Sequence, residues 1–106
     1  MVLRISLVAA LLALPVTVVF ADEKFEAGKK VFVEQAQPSC TVCHALSEAG
    51  STGNIGPSLD ELKPSSKQVA DAVRGGVGIM PAFEDSLTEQ QIDAVAYYVE
   101  KVSTSE

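Results

Sequence analysis

Two thiols and an imidazole stand together at Cys40-Thr41-Val42-Cys43-His44, and the 106 residues contain no other cysteine or histidine. A spacing of three puts both sulfurs on one side of a single helical turn. They can pair or exchange as a disulfide, but that leaves His44 without a role, and the βαβ pattern of thioredoxin-like redox domains is missing. They can join His44 on zinc, but closing the tetrahedron would need a carboxylate, because the chain has no second Cys or His cluster. They can also add to the two vinyl groups of a porphyrin, with the residue after the second Cys carried under the iron. That is the chemistry of the Cys-Xaa-Xaa-Cys-His haem attachment motif. It uses all three side chains and makes His44 the proximal ligand of a haem c held through Cys40 and Cys43.

An iron with His44 on one face needs a ligand on the other. Apart from the initiator Met1, Met80 is the only soft neutral donor in the chain. It sits in Gly75-Gly76-Val77-Gly78-Ile79-Met80-Pro81, where glycines permit tight backbone paths and Pro81 cannot continue a helix. A single methionine is often ordinary core filling, but this loop context suits a thioether held against a flat ring. A His/Met pair raises the reduction potential, because thioether sulfur favours ferrous iron. It also leaves no open coordination site, so the remaining chemistry is outer-sphere transfer of one electron and the protein is not itself an enzyme. If Met80 is off the iron or labile, the sixth position is open and the chain reads as a haem-based sensor or peroxide-handling protein. Ready binding of carbon monoxide to the ferrous protein separates the two.

The elements that must position these residues follow a leader. From Met1 to Ala21 the only charge is Arg4, and Ile5 to Phe20 is apolar except for Ser6, Pro15 and Thr17. Val19 and Ala21 suit a signal peptidase pocket, so residues 1–21 read as a secretory signal peptide and 22–106 as one monohaem domain. The alternative is an uncleaved anchor, for which the apolar run is short. Much of the 47% hydrophobic content and of the mean hydropathy of +0.23 resides in this leader. Its loss removes Arg4 and takes the net charge from -6 to -7. An acidic chain with scattered lysines excludes nucleic acid as a partner. Export also fits the attachment motif and predicts a periplasmic protein with no membrane association after cleavage.

In the mature region Asp22 is placed to cap a helix over 23–35, with Phe25, Gly28, Val31 and Phe32 near one face and Pro38 beyond its end. Gly28 inside a helix implies the close approach of another element. Residues 45–57 read as a loop, and Ser58 is placed to cap a short turn through Leu62. Ser65 with Gln68 forms a capping box for a helix ending at Gly75-Gly76, and Thr88 with Gln91 repeats it. Ile92, Val95, Ala96, Val99 and Val102 then follow with helical period. No strand alternation or internal repeat is visible. The fold class is all-α, three to five short helices wrapped around one covalently bound haem, which fills the middle of a small domain.

The ordered set of motifs resembles the class I cytochromes c, particularly the small monohaem bacterial members of the c5, c6 and c551 type. The matching features are Gly28 and Phe32 in an N-terminal helix, Cys40 to His44, Gly56-Pro57-Ser58-Leu59, and Met80-Pro81 ahead of a C-terminal helix with Tyr97 and Tyr98. The resemblance implies a cytochrome c fold in which the terminal helices cross, with Gly28 and Phe32 meeting the region of Ala94 and Tyr98. It implies that the Pro57 carbonyl holds the second nitrogen of His44, where the residues alone would equally allow a simple turn proline. It places Ile55, Leu59 and Ile79 with Cys40, Cys43, His44, Pro57 and Met80 at the haem, with His44 and Met80 on the iron. An exposed haem edge is expected near Thr41, Val42, Ala45, Ile79, Pro81 and Ala82, with Glu84 and Asp85 placed to steer a basic partner. The expected task is respiratory electron transfer, from an exported dehydrogenase to a terminal oxidase or another cytochrome, as a monomer or in transient complexes. The run from Gly75 to Phe83 is similar to cytochromes that serve exported dehydrogenases, molybdenum sulfite dehydrogenases among them.

Overall fold

The computed structural model describes residues 2–13 and 19–104; Met1 and residues 14–18 of the expected signal segment lie outside them, as do residues 105 and 106. Residues 2–13 carry no regular secondary structure. Helix α1 spans Val19–Lys30 and continues as a π-helical turn, Val31–Gln35. Because α1 begins ahead of Asp22, this residue lies in the first turn instead of at the cap, where its charge still complements the helix dipole. The π turn closes with Ala36 N donating to Val31 O at 2.9 Å, and Pro38, which lacks an N–H, ends the run.

Four further helices follow: α2 (Cys40–Cys43), α3 (Leu59–Leu62), α4 (Ser66–Gly75) and α5 (Glu89–Thr104). The stretch 45–57, expected to be irregular, contains a two-residue antiparallel pair, β1 (Ala45–Leu46) and β2 (Ser51–Thr52), with Ala45 opposite Thr52 and Leu46 opposite Ser51. A 3-10 turn, Ser47–Ala49, joins them. Two-residue strands are too short to show alternation, which is why the sequence pattern passes over them.

Both capping boxes form. Ser65 N donates to Gln68 Oε1 at 2.9 Å and Gln68 N to Ser65 Oγ at 3.2 Å; the Thr88 and Gln91 pair makes the same bonds at 2.8 and 3.1 Å. Each satisfies two backbone donors that a helix start leaves open. Ser58 takes the N-cap position of α3, but its side chain makes no capping bond.

Helix α5 is the spine, packed on α1, α3 and α4. Ile92, Val95, Ala96 and Val99 are buried as the helical period predicts, and Ala94 and Tyr98 are buried too, because α1 covers a second face. The α1–α5 crossing depends on Gly28: a Cβ there would lie 2.1 Å from Ala94 O and 2.6 Å from Tyr98 Cβ. Absence of a side chain lets the helices touch, and Tyr98 stacks edge-on with Phe25 at 5.1 Å and Phe32 at 5.9 Å. The Tyr98 hydroxyl donates to Glu48, which also pairs with Lys29 Nζ at 2.9 Å. This network ties the 3-10 turn to both terminal helices.

Candidate haem site

The turn bearing Cys40 and Cys43 is held in place by the residue before it. Ser39 caps α2, its Oγ accepting from Thr41 N at 3.3 Å and bonding Thr41 Oγ1 at 2.8 Å. The same hydroxyl reaches Phe32 O at 3.1 Å and Val33 O at 2.9 Å. These carbonyls lie where α1 gives out, so one side chain serves the end of one helix and the start of the next. The composition of the attachment motif gives no sign of this role, which rests on a contact to the preceding helix.

Both cysteine side chains line a cavity of about 400 Å³, within the usual range for ligand sites. Burial, the largest influence, pushes the Cys40 thiol up to about 11; a backbone hydrogen bond lowers it and nearby Cys43 raises it. Reactive redox cysteines have lowered values.

His44 follows with its ring tightly constrained. Its Nδ1 lies 2.7 Å from Pro57 O. A carbonyl only accepts, so Nδ1 carries the proton and Nε2 keeps the lone pair available to a metal. Gly56 packs against the ring: a Cβ there would lie 2.7 Å from Cε1 and 3.0 Å from Nδ1. Two further links join the segments that carry His44 and Pro57. Gly56 N donates to Cys43 O at 2.8 Å, and Ser47 donates through both N and Oγ to Asp60 Oδ2 at 2.9 Å. Nothing in the sequence marks Gly56 or Asp60 as a support of the ring, because each acts through a contact that only folding makes.

Met80 is delivered by backbone geometry. After α4, Gly76 adopts φ 75° and ψ 164°, a region open essentially to glycine. A Cβ at Gly76 would meet Met80 O at 2.8 Å and Ala82 N at 2.9 Å. Val77 and Met80 then exchange both backbone hydrogen bonds, at 3.1 and 2.9 Å, around Gly78 and Ile79. Gly78 has φ 56°, the glycine-first arrangement favoured in two-residue hairpins. Phe83 N, donating to Val73 O at 2.8 Å, closes the base of the loop.

The cavity brings all eight sequence-selected residues to one place. Cys40, Cys43 and His44 come from α2 and its end, Ile55 and Pro57 from the approach to α3, Leu59 from its first residue, and Ile79 and Met80 from the loop after α4. Leu59 belongs to the core, whereas Ile79, 85% exposed at the tip of the turn, marks the rim. The structure adds Leu62, Pro64, Gln68, Val69 and Ala72, from α3, α4 and the link between them, to the lining. The signal of Leu62, Val69 and Ala72 in the sequence is only the apolar face of a short helix, which does not distinguish a cofactor wall from a protein core, and that of Gln68 is only a helix cap.

The lining fits a porphyrin. Ile55 (60%), Leu62 (57%) and Val77 (64%) are exposed although they border the cavity, so a flat apolar group would cover side chains that are otherwise wet. Two sulfurs and one free imidazole nitrogen meet that surface. Around the cavity mouth, the lining residue Pro81 and its neighbours Val42 and Ala82 are exposed, Thr41 and Ala45 are half-buried, and Glu84 and Asp85 are exposed.

Comparison with known proteins points to the same cofactor. The family profile described as "Cytochrome C oxidase, cbb3-type, subunit III" matches residues 23–99. Cytochrome c6 of Leptolyngbya boryana is 35% identical over 77 residues, covering 69% of this chain and 86% of its own length. The crystal structure of the c-type cytochrome SorU from Sinorhizobium meliloti superposes with a TM-score of 0.75 at 45% identity, covering 77% of this chain and 93% of SorU.

Proposed function

Since this chain belongs to the c-type cytochrome family described as cbb3-type cytochrome c oxidase subunit III, as a small class I cytochrome carrying haem c covalently through Cys40 and Cys43, we propose that it shuttles single electrons between exported redox proteins, with His44 and Met80 as the residues that would hold the iron. It is an electron-transfer haem protein. The observation that carries the finer reading is that His44 and Met80 line one cavity from separate segments, with Pro57 leaving Nε2 as the free imidazole nitrogen.

When bound, the haem supplies a one-electron iron couple. The chain's contribution is to position and enclose it. Cys40 and Cys43 tether it from a turn anchored by Ser39. His44 presents Nε2 from a ring whose tautomer and orientation are fixed by the bond to Pro57. Met80 offers a neutral thioether and, with His44, would hold the iron, which would leave oxygen and peroxide no open site. Core side chains such as Phe32, Val95 and Val99 close the floor against water.

Residues 1–21 act as an export signal in this reading, and 22–106 form the mature periplasmic domain. Among the described residues no helix is long and apolar enough to cross a membrane. The donor is an exported dehydrogenase, with a sulfite dehydrogenase first among the candidates because of the Gly75 to Phe83 run. The acceptor is a terminal oxidase or another cytochrome. The apolar rim at Val42, Ile79, Pro81 and Ala82 suits brief contact with such partners, and Glu84 and Asp85 favour a basic one.

The test is the absorption spectrum of the mature exported protein in both oxidation states. We expect c-type bands, the weak near-infrared band of ferric haem with sulfur ligation, and no rapid binding of carbon monoxide by the ferrous form. Bands of c type without the sulfur band, and with ready carbon monoxide binding, would refute Met80 ligation and the carrier reading. The donor assignment predicts rapid reduction by a sulfite dehydrogenase with sulfite, and a negligible rate rejects it; slowing by added salt is expected from steering by Glu84 and Asp85, which a salt-independent rate would reject.

A further inference from the structure

We infer that the side-chain amide of Gln68 is the hydrogen-bond donor that receives a propionate carboxylate of the haem. This rests on the cofactor reading above and assigns a ligand-holding role to a residue whose sequence signature is only that of a helix cap.

Three polar side chains other than the cysteines line the cavity: Ser39, His44 and Gln68. The Ser39 hydroxyl is engaged with Phe32, Val33 and Thr41. His44 has Nδ1 on Pro57 and Nε2 for the metal. Gln68 differs from both. Its Oε1 accepts from Ser65 N at 2.9 Å, which fixes which end of the amide is oxygen, because a backbone N–H cannot pair with another donor. Its Nε2 therefore keeps two N–H groups that no residue in the described structure accepts. A side chain locked by one end at the margin of an otherwise apolar cavity, with its donor end free, is a pre-positioned anion contact.

The placement suits a carboxylate at the end of the ring remote from the thioethers. Helix α2 packs on the π turn and β2, whereas α4 packs on α5, so the two helices line different walls of the cavity. Vinyl and propionate groups leave opposite edges of the porphyrin, so a ring tethered at Cys40 and Cys43 carries its carboxylates away from α2. Gln68 is exposed, as a partner for a carboxylate at the solvent edge must be. It also lies in the first turn of the ten-residue α4, where the helix dipole favours negative charge. In a chain of net charge -6, two added carboxylates next to apolar walls need such a donor. Neighbouring Lys67 is turned to Asp71 at 2.7 Å and is not part of the lining.

The decisive variant is Gln68→Glu. Glutamate serves the capping box as well as glutamine, so α4 persists while the donor becomes a carboxylate. Gln90→Glu adds the same charge on an exposed position of α5 outside the cavity and measures the general effect of charge. We expect Gln68→Glu to lower the reduction potential several-fold more than Gln90→Glu does. In the reduced wild-type protein, nuclear Overhauser contacts should connect the Gln68 amide protons to a propionate methylene. Equal shifts in the two variants, or no such contact in a protein with a normal c-type spectrum, would overturn the assignment and leave the carrier reading intact. Absence of any c-type spectrum would overturn both.

Discussion

The segment that presents His44 and the one that presents Met80 are held by different forces. The imidazole is fixed through its own side chain, with Nδ1 bonded to Pro57 and Gly56 flat against the ring. The thioether has no comparable handle, because methionine sulfur is only a weak acceptor. Its position is set by backbone, through Gly76 in a glycine-only conformation, the paired bonds of Val77 and Met80, and the closure from Phe83 to Val73. A polar ligand can be oriented atom by atom, while a soft one must be carried by a rigid loop. The two walls should therefore fail in different ways.

The largest expected contrast is between the ligands themselves. His44→Ala should abolish the low-spin site, read as loss of the sharp ferrous c-type bands. Met80→Ala should retain haem, lose the near-infrared sulfur band, bind carbon monoxide and lower the reduction potential. A Met80→Ala protein with an unchanged band would remove this methionine from the iron.

A substitution remote from both walls calibrates the loss due to instability alone. Gly28→Ala drives a methyl group into the α5 backbone, and we expect about 3 kcal/mol of destabilisation in a urea titration, as for severe overpacking. The sulfur band should survive in the folded fraction. Gly76→Ala should cost less, about 2 kcal/mol for a non-glycine residue in that backbone region, yet it should weaken the sulfur band because it displaces Met80. If Gly28→Ala weakens the band more than Gly76→Ala does, the loop is not what places the thioether.

The smallest effect concerns Tyr98. Burial first, then its bond to Glu48 and the charges of Glu48 and Glu26, hold its hydroxyl well above the usual phenol value. A raised folded-state value means that its contribution to stability is complete below about pH 10 and is lost as pH rises further. Tyr98→Phe should cost about 1 kcal/mol at pH 7 and flatten the decline in urea midpoint above about pH 10. An identical alkaline decline in both proteins would exclude Tyr98 as its source.

Much of this site could be read from residue type and spacing. Two cysteines, one histidine and one internal methionine leave few chemical assignments, and Thr88 with Gln91 or Ser65 with Gln68 announce helix starts through bonds that span three residues. Gly28 was legible as a close approach because glycine is costly within a helix. The start of α1 was less legible: the apolar residues ahead of Asp22 continue the helix, and no stop signal separates them from it. The β1–β2 pair escaped because two residues carry no period.

Local chemistry along the chain was enough to specify the all-α class, the tether, and the identities of the two ligand candidates, since each depends on neighbours within a few residues. Folding was needed to bring Gly56 onto the His44 ring, to place Ser39 beneath the carbonyls that close α1, and to link Lys29, Glu48 and Tyr98 across three elements. It was also needed to bring Gln68 of α4 to the cavity that holds His44 and Met80. These contacts join residues far apart in the chain through the directions of single bonds, and no periodicity of hydrophobic or polar residues encodes such directions.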